Sequence, residues 1–309
     1  MPSIVRQTLP ALIAAALAAT TTLPAAAQTK VNIAYVLGVD FLPVFVSKEN
    51  ACFAGKGLDV TLTFIPIANN IPATIVSGSA QIGMTTAPIL LQAAENGLDL
   101  VAVAGASRMS KSNPTMSVVM RTEVKAATAA DLKGRKIGVP GINSLGDIVF
   151  RKWLKDNGLK AGEVTTVEAP IPQMADLIKG GTVDGVVIME PIRSRITGSG
   201  GGYRHPIEYY PATAPDSVLT MWISSGAWAK ANAPAVAAFR ACVASGIDSI
   251  KADPENAKKV EIQYLKIASP TYPVHEAVIK PDDLKIHADI STEMGLLKKP
   301  ANLSALVLP

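Results

Sequence analysis

The strongest constraint on the fold is a pattern of strand and helix signals that occurs twice in the chain. The segment IPATIVSGSAQIG, which starts at Ile71, matches IPQMADLIKGGTVDG, which starts at Ile171. Each segment predicts a helix with Pro in its first turn, a Gly that ends the helix, and a short strand. Short apolar strands alternate with helices through both halves, which is typical of an α/β protein with mainly parallel sheets. The sequence therefore predicts two similar α/β lobes.

The order of these segments also predicts where one lobe passes into the other. SKSNPTMSVVM at 110–120 predicts a first crossing strand, and YYPATAPDSVLTMWISS at 209–225 predicts the return. A chain of 309 residues is long enough for two domains of ~100 to 150 residues. We predict a first lobe of residues 28–115 plus 220–309 and a second lobe of residues 116–219. The helices near the C-terminus are expected to pack back on the first lobe.

Residues 1–27 have the pattern of a secretory signal peptide. Arg6 precedes an apolar centre from Leu9 to Ala19, and Ala25-Ala26-Ala27 forms a small-residue cleavage site. No later apolar run reaches the roughly 18 residues that a membrane span needs. We therefore predict a soluble protein that is exported to the periplasm.

The chain has two cysteines, Cys52 and Cys242, and the predicted compartment permits a disulfide. The sequence alone does not place the two Cα atoms within the ~4.4 to 6.8 Å that a disulfide needs. A pair of buried thiols is therefore the favoured expectation, with a disulfide as the alternative.

Charge and composition exclude several classes of function. The 29 Lys and Arg residues and 25 Asp and Glu residues are scattered along the chain, so there is no basic stripe for nucleic acid. Aromatic residues make up only 5%, which argues against a stacking platform for single strands. His205, His275 and His287 show no ligand spacing with the cysteines, so no metal site is expected. The chain also lacks the Gly-x-Ser-x-Gly motif of a hydrolase.

Five local patterns in order resemble the periplasmic solute-binding proteins of ABC importers, in the branch that serves sulfonates, taurine, nitrate and thiamine precursors. They are a signal peptide followed by a strand-loop-helix unit that ends in GKGLDV, then IVSGSAQIGM, DLKGRKIGVPGINS, GTVDGVVIMEP, and a long helical tail. The resemblance covers nearly the whole mature chain. It implies two lobes joined by two crossing strands, as in a type II periplasmic binding protein, which close over a ligand in the cleft between them.

Ligands of open parallel sheets bind beyond the carboxyl ends of the strands, where loops lead into helix N-termini. KIGVPGINSLGDIVF at 136–150 contains such a junction, with Asn143 and Ser144 just before a helix. Their side-chain oxygens either cap the helix beneath a layer of water, or contact a ligand whose anionic head is held by the free N–H groups. Together with the two-lobe architecture, this favours ligand contact.

The first lobe has two comparable junctions. In GMTTAP, Thr85 and Thr86 precede Pro88, and their hydroxyls either donate to a sulfonate or carboxylate oxygen or cap the helix. In PIANNIP, Asn69 and Asn70 either reach the cleft or cap the next helix, and capping is slightly favoured.

The loop after the first strand, YVLGVDFLP, places Tyr35, Asp40 and Phe41 at the expected mouth of the site. An aromatic ring there either covers an apolar ligand tail or belongs to the core. Glu190 follows the strand GVVIM, where its carboxylate either accepts from an amine or hydroxyl or acts as a hinge or helix-start residue.

Two further candidates follow from their positions. Arg108 comes after the strand LVAVAGA and either pairs with an anion or stays solvated at the surface, which is the commoner outcome. Trp222 lies on the return crossing, where it either lines the cleft or is buried within a lobe.

The favoured function is capture of a small organic anion, such as an alkanesulfonate, taurine or a carboxylate, by hinge closure and without a catalytic step. We expect no cofactor, a monomer, and an inner-membrane ABC permease as partner. One alternative is a carrier of a thiamine-pyrimidine precursor, for which Glu190, Asp40 and Tyr35 offer partners. The other is an enzyme: thiamine-pyrimidine synthases resemble this architecture but carry a cysteine-rich iron motif, whereas this chain has two separated cysteines.

Overall fold

The computed structural model describes residues 28–112, 114–198 and 206–309, and these form two α/β lobes. The predicted signal peptide, residues 1–27, and His205 lie outside the described residues. The strands are β1 (Thr29–Tyr35), β2 (Leu58–Phe64), β3 (Ile82–Thr85), β4 (Leu100–Arg108), β5 (Met116–Met120), β6 (Lys136–Val139), β7 (Thr165–Glu168), β8 (Gly185–Met189), β9 (Val218–Ser225) and β10 (Val274–His275).

The α-helices connect and cover these strands. They are α1 (Leu42–Glu49), α2 (Cys52–Gly55), α3 (Ile71–Val76), α4 (Ala87–Glu95), α5 (Leu145–Asp156), α6 (Met174–Lys179), α7 (Ile192–Gly198), α8 (Tyr210–Thr213), α9 (Gly226–Ala231), α10 (Ala233–Ala252), α11 (Pro254–Leu265) and α12 (Lys285–Glu293).

Each lobe is built on one mixed sheet. In the first lobe the strand order is β10-β4-β9-β3-β1-β2, and in the second lobe it is β5-β8-β6-β7. Pairing is parallel between β1, β2 and β3, and again between β6, β7 and β8. The strands that follow the two passages between the lobes, β5 and β9, run antiparallel to their neighbours.

The two sheets repeat the same order, as the sequence repeat predicts. The run β2-β1-β3-β9 of the first lobe corresponds to β7-β6-β8-β5 of the second lobe. The matched segments become α3 followed by β3, and α6 followed by β8. The predicted Gly stops are confirmed, because Gly78 after α3 has φ +75° and Gly181 after α6 has φ +69°. This left-handed conformation is readily adopted by glycine, and it turns the chain out of the helix.

The late helices divide between the lobes rather than all packing on the first lobe. Phe239 and Val243 of α10 and Val260 of α11 lie in the first-lobe core. Ile290 of α12 instead lies in the second-lobe core, and Glu293 pairs with Lys152 and Lys155 of α5. Ala288, on the same helix, packs in a first-lobe cluster. Helix α12 therefore contacts both lobes, and the boundaries inferred from sequence stay a prediction.

The two cysteines form a disulfide, so the favoured expectation of two buried thiols is wrong. Cys52 of α2 and Cys242 of α10 have Cα atoms 5.7 Å apart and sulfur atoms 2.10 Å apart. The expectation failed because the pairing depends on how α10 packs beside α1 and α2, which brings together residues 190 positions apart. Within the described chain, α10 is also the one helix with the length and composition of a membrane span, and its buried side chains pack in the first-lobe core.

Candidate ligand-binding cleft

A cavity of about 40 Å³ lies between the two lobes, with room for about three water-sized groups. Its walls come from both sheets and from the segments that connect the lobes. The polar lining residues are Asp40, Thr86, Thr115, Ser144 and Thr220, and the larger apolar ones are Met84, Met116, Leu145, Ile171, Met189 and Leu219. The cleft is thus nearly shut in this conformation.

One helix N-terminus from each lobe faces this cavity. Thr86 is the N-cap residue of α4 in the first lobe, and Ser144 is the N-cap residue of α5 in the second lobe. Neither side chain caps its helix, and both hydroxyl oxygens are buried without a hydrogen-bond partner. Buried hydroxyls are normally satisfied, so these two are available to hydrogen-bond to a polar group placed in the cavity.

The start of α5 is held by other residues, which leaves Ser144 free. Asp147 accepts a hydrogen bond from the backbone N–H of Asn143 at 2.7 Å. The Asn143 side chain turns to Arg151, whose Nη2 lies 2.6 Å from Asn143 Oδ1, and Arg151 also pairs with Asp147. Asn143 itself has φ +63°, a left-handed conformation that Asn tolerates. The structure therefore directs Ser144, and not the Asn143 side chain, to the cavity.

Asp40 is the ionisable residue of the cavity wall. It is 4% exposed and follows β1 in a single 3₁₀ turn. Ser107 donates a hydrogen bond to Asp40 Oδ1, and Thr220 donates a longer one of 3.5 Å to the same oxygen. Burial raises the pKa of the Asp40 carboxyl above its usual range, while the hydrogen bonds from Ser107 and Thr220 partly offset this.

Among the described residues, three hydrogen bonds cross the cleft beside the cavity. Asn69 Nδ2 donates to the Ile142 carbonyl at 2.8 Å, and Gln92 Nε2 donates to the Asn143 carbonyl at 3.0 Å. The backbone N–H of Val39 donates to the Glu190 carbonyl at 3.3 Å. These contacts exist only while the lobes are together, so they contribute to the stability of the closed state.

The aromatic candidates lie in the first-lobe core. Phe41 and Trp222 are fully buried, with ring centroids 4.9 Å apart. Tyr35 packs against Phe41 at 4.6 Å and is half-buried, and burial raises the pKa of its hydroxyl. None of these three side chains lines the cavity.

The remaining candidates also lie outside the cavity wall. Arg108 pairs with Asp283 at 2.7 Å, and Glu190 accepts from Arg193 Nε at 2.6 Å and from the Ser194 hydroxyl. Thr85 is buried beside the site with an unpartnered hydroxyl, and Asn70 is exposed.

Thr115 and Thr220 line the cavity, yet sequence reasoning did not select them. Both lie on the segments that pass between the lobes. That location is the sequence feature from which a position at the cleft could have been predicted. On the return segment the prediction chose Trp222 instead of Thr220. Strand β9 is covered on both faces, so its sequence shows no alternation of buried and exposed positions from which to tell the two apart.

The comparisons with known proteins agree with this geometry. Residues 39–257 match the family described as NMT1/THI5 like. The chain belongs to the NMT1/THI5-like family. Among curated relatives, the formylaminopyrimidine-binding protein of Halalkalibacterium halodurans is 24% identical over 221 residues. That match covers 70% of this chain and 64% of the relative, so the chain matches less than two thirds of the relative's length.

Solved structures of binding proteins share the fold. The alkanesulfonate-binding protein SsuA from Xanthomonas axonopodis pv. citri, bound to MOPS, has a TM-score of 0.77 at 18% identity and covers 92% of this chain and 99% of its own. The periplasmic nitrate-binding protein NrtA from Synechocystis PCC 6803 also has a TM-score of 0.77, at 14% identity, with 90% of this chain and 84% of its own covered. The chain thus has the two-lobe fold of periplasmic binding proteins.

The described residues contain no group of three or more His, Cys, Asp and Glu side chains that could hold a metal ion. The binding chemistry that the cavity offers consists of four hydroxyls, one carboxyl group and the free N–H groups at the starts of α4 and α5.

Proposed function

We propose that this family member is the solute-binding component of an ABC importer and captures a small organic molecule between its lobes. The observation that carries the proposal is the cavity between the lobes, to which each lobe contributes one buried and unpartnered hydroxyl, Thr86 and Ser144. Only a ligand that touches both lobes at once satisfies both groups. Binding would therefore favour the closed state.

Closure of the lobes would be linked thermodynamically to ligand binding. A ligand shifts an open-closed equilibrium by the difference between its affinities for the two states. A solute that reaches Thr86 alone gains the contact with Ser144 when the lobes meet, together with the hydrogen bonds from Asn69 and Gln92 across the cleft. The closed, loaded form would then dock on an inner-membrane permease.

The first candidate ligand is a small organic anion such as an alkanesulfonate, taurine or a carboxylate. The starts of α4 and α5 support it, because free N–H groups and the positive end of the helix dipole favour an anionic head. The second candidate is a thiamine-pyrimidine precursor. Asp40 favours this class, because a carboxyl group accepts hydrogen bonds from a ring amine, and one relative is named for binding formylaminopyrimidine.

We also propose that the mature protein is a periplasmic monomer without a catalytic step. The named relatives and the structural neighbours reported above are binding proteins. The periplasmic location of the nitrate-binding protein NrtA supports the export signal proposed for residues 1–27.

Mass spectrometry of the purified and then denatured protein tests the proposal directly. We expect a small solute to be released, and calorimetry with that solute to give saturable one-to-one binding. A parallel thermal-shift screen of sulfonates, carboxylates and aminopyrimidines covers the case in which the solute is lost during purification. If no compound is released and none binds saturably, the proposed function is wrong.

A further inference from the structure

The charge of the cavity wall is unbalanced. Among the described residues that line the cavity, Asp40 is the one ionisable side chain, and no Lys, Arg or His borders it. The other polar lining groups are hydroxyls and backbone. A buried carboxylate normally has a cationic partner or several hydrogen bonds. Here the protein provides hydroxyl donors from Ser107 and Thr220, and both reach the same oxygen, Oδ1.

The neighbouring arginines are already paired elsewhere. Arg108 contacts Asp283 and the carbonyl of Asp216, at 2.7 Å and 3.0 Å. Arg193 is bound to Glu190 at 2.6 Å, and Arg151 to Asp147 at 2.9 Å. Each of these cations is paired with an acid that does not line the cavity. When Asp40 is ionised, its charge therefore has no cationic partner among the residues that line the cavity, and only a group that enters the cleft can supply one.

A plain anion fits this cavity poorly. It would bring a second negative charge beside a buried carboxylate, where like charges repel strongly because little water screens them. An ammonium group on the ligand is attracted to the Asp40 carboxylate instead of being repelled. An amino or ammonium nitrogen also donates a hydrogen bond to that carboxylate. The ligand's acceptor atoms can at the same time receive hydrogen bonds from the hydroxyls of Thr86 and Ser144, which have no partner in the protein.

We propose that Asp40 determines the ligand class, and that the solute carries an amino or ammonium nitrogen bound to Asp40 together with an acceptor group bound by Thr86 and Ser144. This inference rests on the proposed function and narrows it. Amino sulfonates, amino acids and aminoheterocycles belong to the class, whereas simple alkanesulfonates, alkanoates and nitrate do not.

Matched compounds test the proposal on the wild-type protein. Calorimetry compares taurine with ethanesulfonate, β-alanine with propionate, and 4-aminopyrimidine with pyrimidine, alongside any solute that co-purifies. We expect the amino member of the pair that binds to be about 10- to 100-fold tighter, the range for a hydrogen bond to a charged group. Equal or tighter binding of the member without the amino group, or a co-purified solute without an N–H donor, overturns the inference. If nothing binds and nothing co-purifies, the proposed function itself fails.

The variant Asp40→Asn tests the role of the charge, because it keeps the shape and removes the carboxylate. We expect the preference for the amino compound to fall to about threefold or less, since most of it depends on the charged acceptor. Asp289→Asn is the matched control: it removes one acid from an exposed pair with Lys285 and keeps the wild-type preference.

The ratio of affinities is the decisive quantity, since a purely structural role of Asp40 would weaken both members of a pair alike. A wild-type ratio in folded Asp40→Asn overturns the inference. If Asp40→Asn does not fold, as judged by circular dichroism, the wild-type comparison decides alone.

Discussion

Asn69 of the first lobe donates a hydrogen bond to the carbonyl oxygen of Ile142 in the second lobe, with the two atoms 2.8 Å apart. The Asn69 side chain thereby bridges the cleft at its rim, beside the hydrogen bond from Gln92 to Asn143. The sequence favours helix capping for Asn69, yet its side chain caps no helix. The residue links the two lobes in the closed state.

Replacing Asn69 with Ala should therefore weaken ligand binding without touching the cavity wall that holds the ligand. A partly exposed hydrogen bond contributes about 0.5 to 1.5 kcal/mol, so the Kd should rise about 2- to 10-fold. Calorimetry with the solute released from the wild-type protein measures this change.

Asn70→Ala is the matched control, because Asn70 is the next residue and is exposed. Small-angle X-ray scattering should show a more open average shape for Asn69→Ala and no change for Asn70→Ala. Equal affinities for the two variants would show that the contact with Ile142 does not favour closure.

The unpartnered hydroxyls of Thr86 and Ser144 lead to a second prediction, in which protein stability and ligand affinity respond differently to the same substitution. Thr86→Val and Ser144→Ala each remove a buried hydroxyl that lacks a partner, so the unliganded protein should be equally stable or slightly more stable. The affinity for the solute should nevertheless fall about 10-fold, since each variant removes a donor to the ligand.

Thr85→Val is the control for this pair. Thr85 also has a buried hydroxyl without a partner, yet it does not line the cavity. Its affinity should equal that of the wild type, as measured by calorimetry beside a thermal melt. A Thr86→Val protein with wild-type affinity would remove Thr86 from the site.

Local sequence signals were sufficient for the architecture. Pro and Gly signals act within a few residues, so α3 and α6 were predicted close to their observed positions. Pro72 lies in the first turn of α3, whereas Pro172 lies in a 3₁₀ turn just before α6. Pro88 predicted that Thr86 lies at a helix start, and the helical spacing after Ser144 predicted the same for Ser144; both are found there.

The directions of side chains were not predictable in the same way, because distant partners decide them. Asn143 turns away from the cleft because Arg151, two helical turns further on, binds its oxygen. Arg108 is drawn to Asp283, 175 residues later in the chain. The sequence places a residue at a junction, but the competing partners that decide what it binds come from tertiary packing.

The disulfide between Cys52 and Cys242 gives a third prediction. It closes a loop of 190 residues, and a cross-link of that span stabilises the fold chiefly by restricting the unfolded chain. Cys52→Ser should lower the free energy of unfolding by about 2 to 5 kcal/mol in a denaturant titration.

Both cysteines lie in the first lobe, away from the cavity, so the Kd of the folded variant should stay at the wild-type value. The double variant Cys52→Ser/Cys242→Ser should unfold with nearly the same free energy as the single variant, because the disulfide is already absent there. Any further loss should be limited to the change in packing at residue 242. A single variant as stable as the wild type under oxidising conditions would contradict a structural role for the bond.

His287 of α12 gives the last prediction, which concerns pH. Its ring is fully buried, its Nε2 lies 2.8 Å from the Val218 carbonyl, and desolvation lowers its pKa to about 4. Well above pH 6.5, His287 is neutral in both the folded and unfolded chains and does not make stability depend on pH. As the pH falls below 6.5, the unfolded chain takes up the proton first, so the folded state loses stability until the pH reaches about 4. Lowering the pH from 7 to 5 should therefore reduce the free energy of unfolding by about 2 kcal/mol through His287 alone.

The variant His287→Gln isolates this contribution, because Gln keeps a donor near Val218 but does not titrate. Denaturant titrations at pH 7 and pH 5 should show a smaller loss for the variant than for the wild type, by about 2 kcal/mol. The other titrating groups are common to both proteins and cancel in this comparison. Since α12 contacts both lobes, the loss of stability should also be seen as lower protection factors against hydrogen exchange for the α12 amide protons at pH 5 than at pH 7. Equal losses in the two proteins would mean that His287 is protonated in the folded state at pH 5.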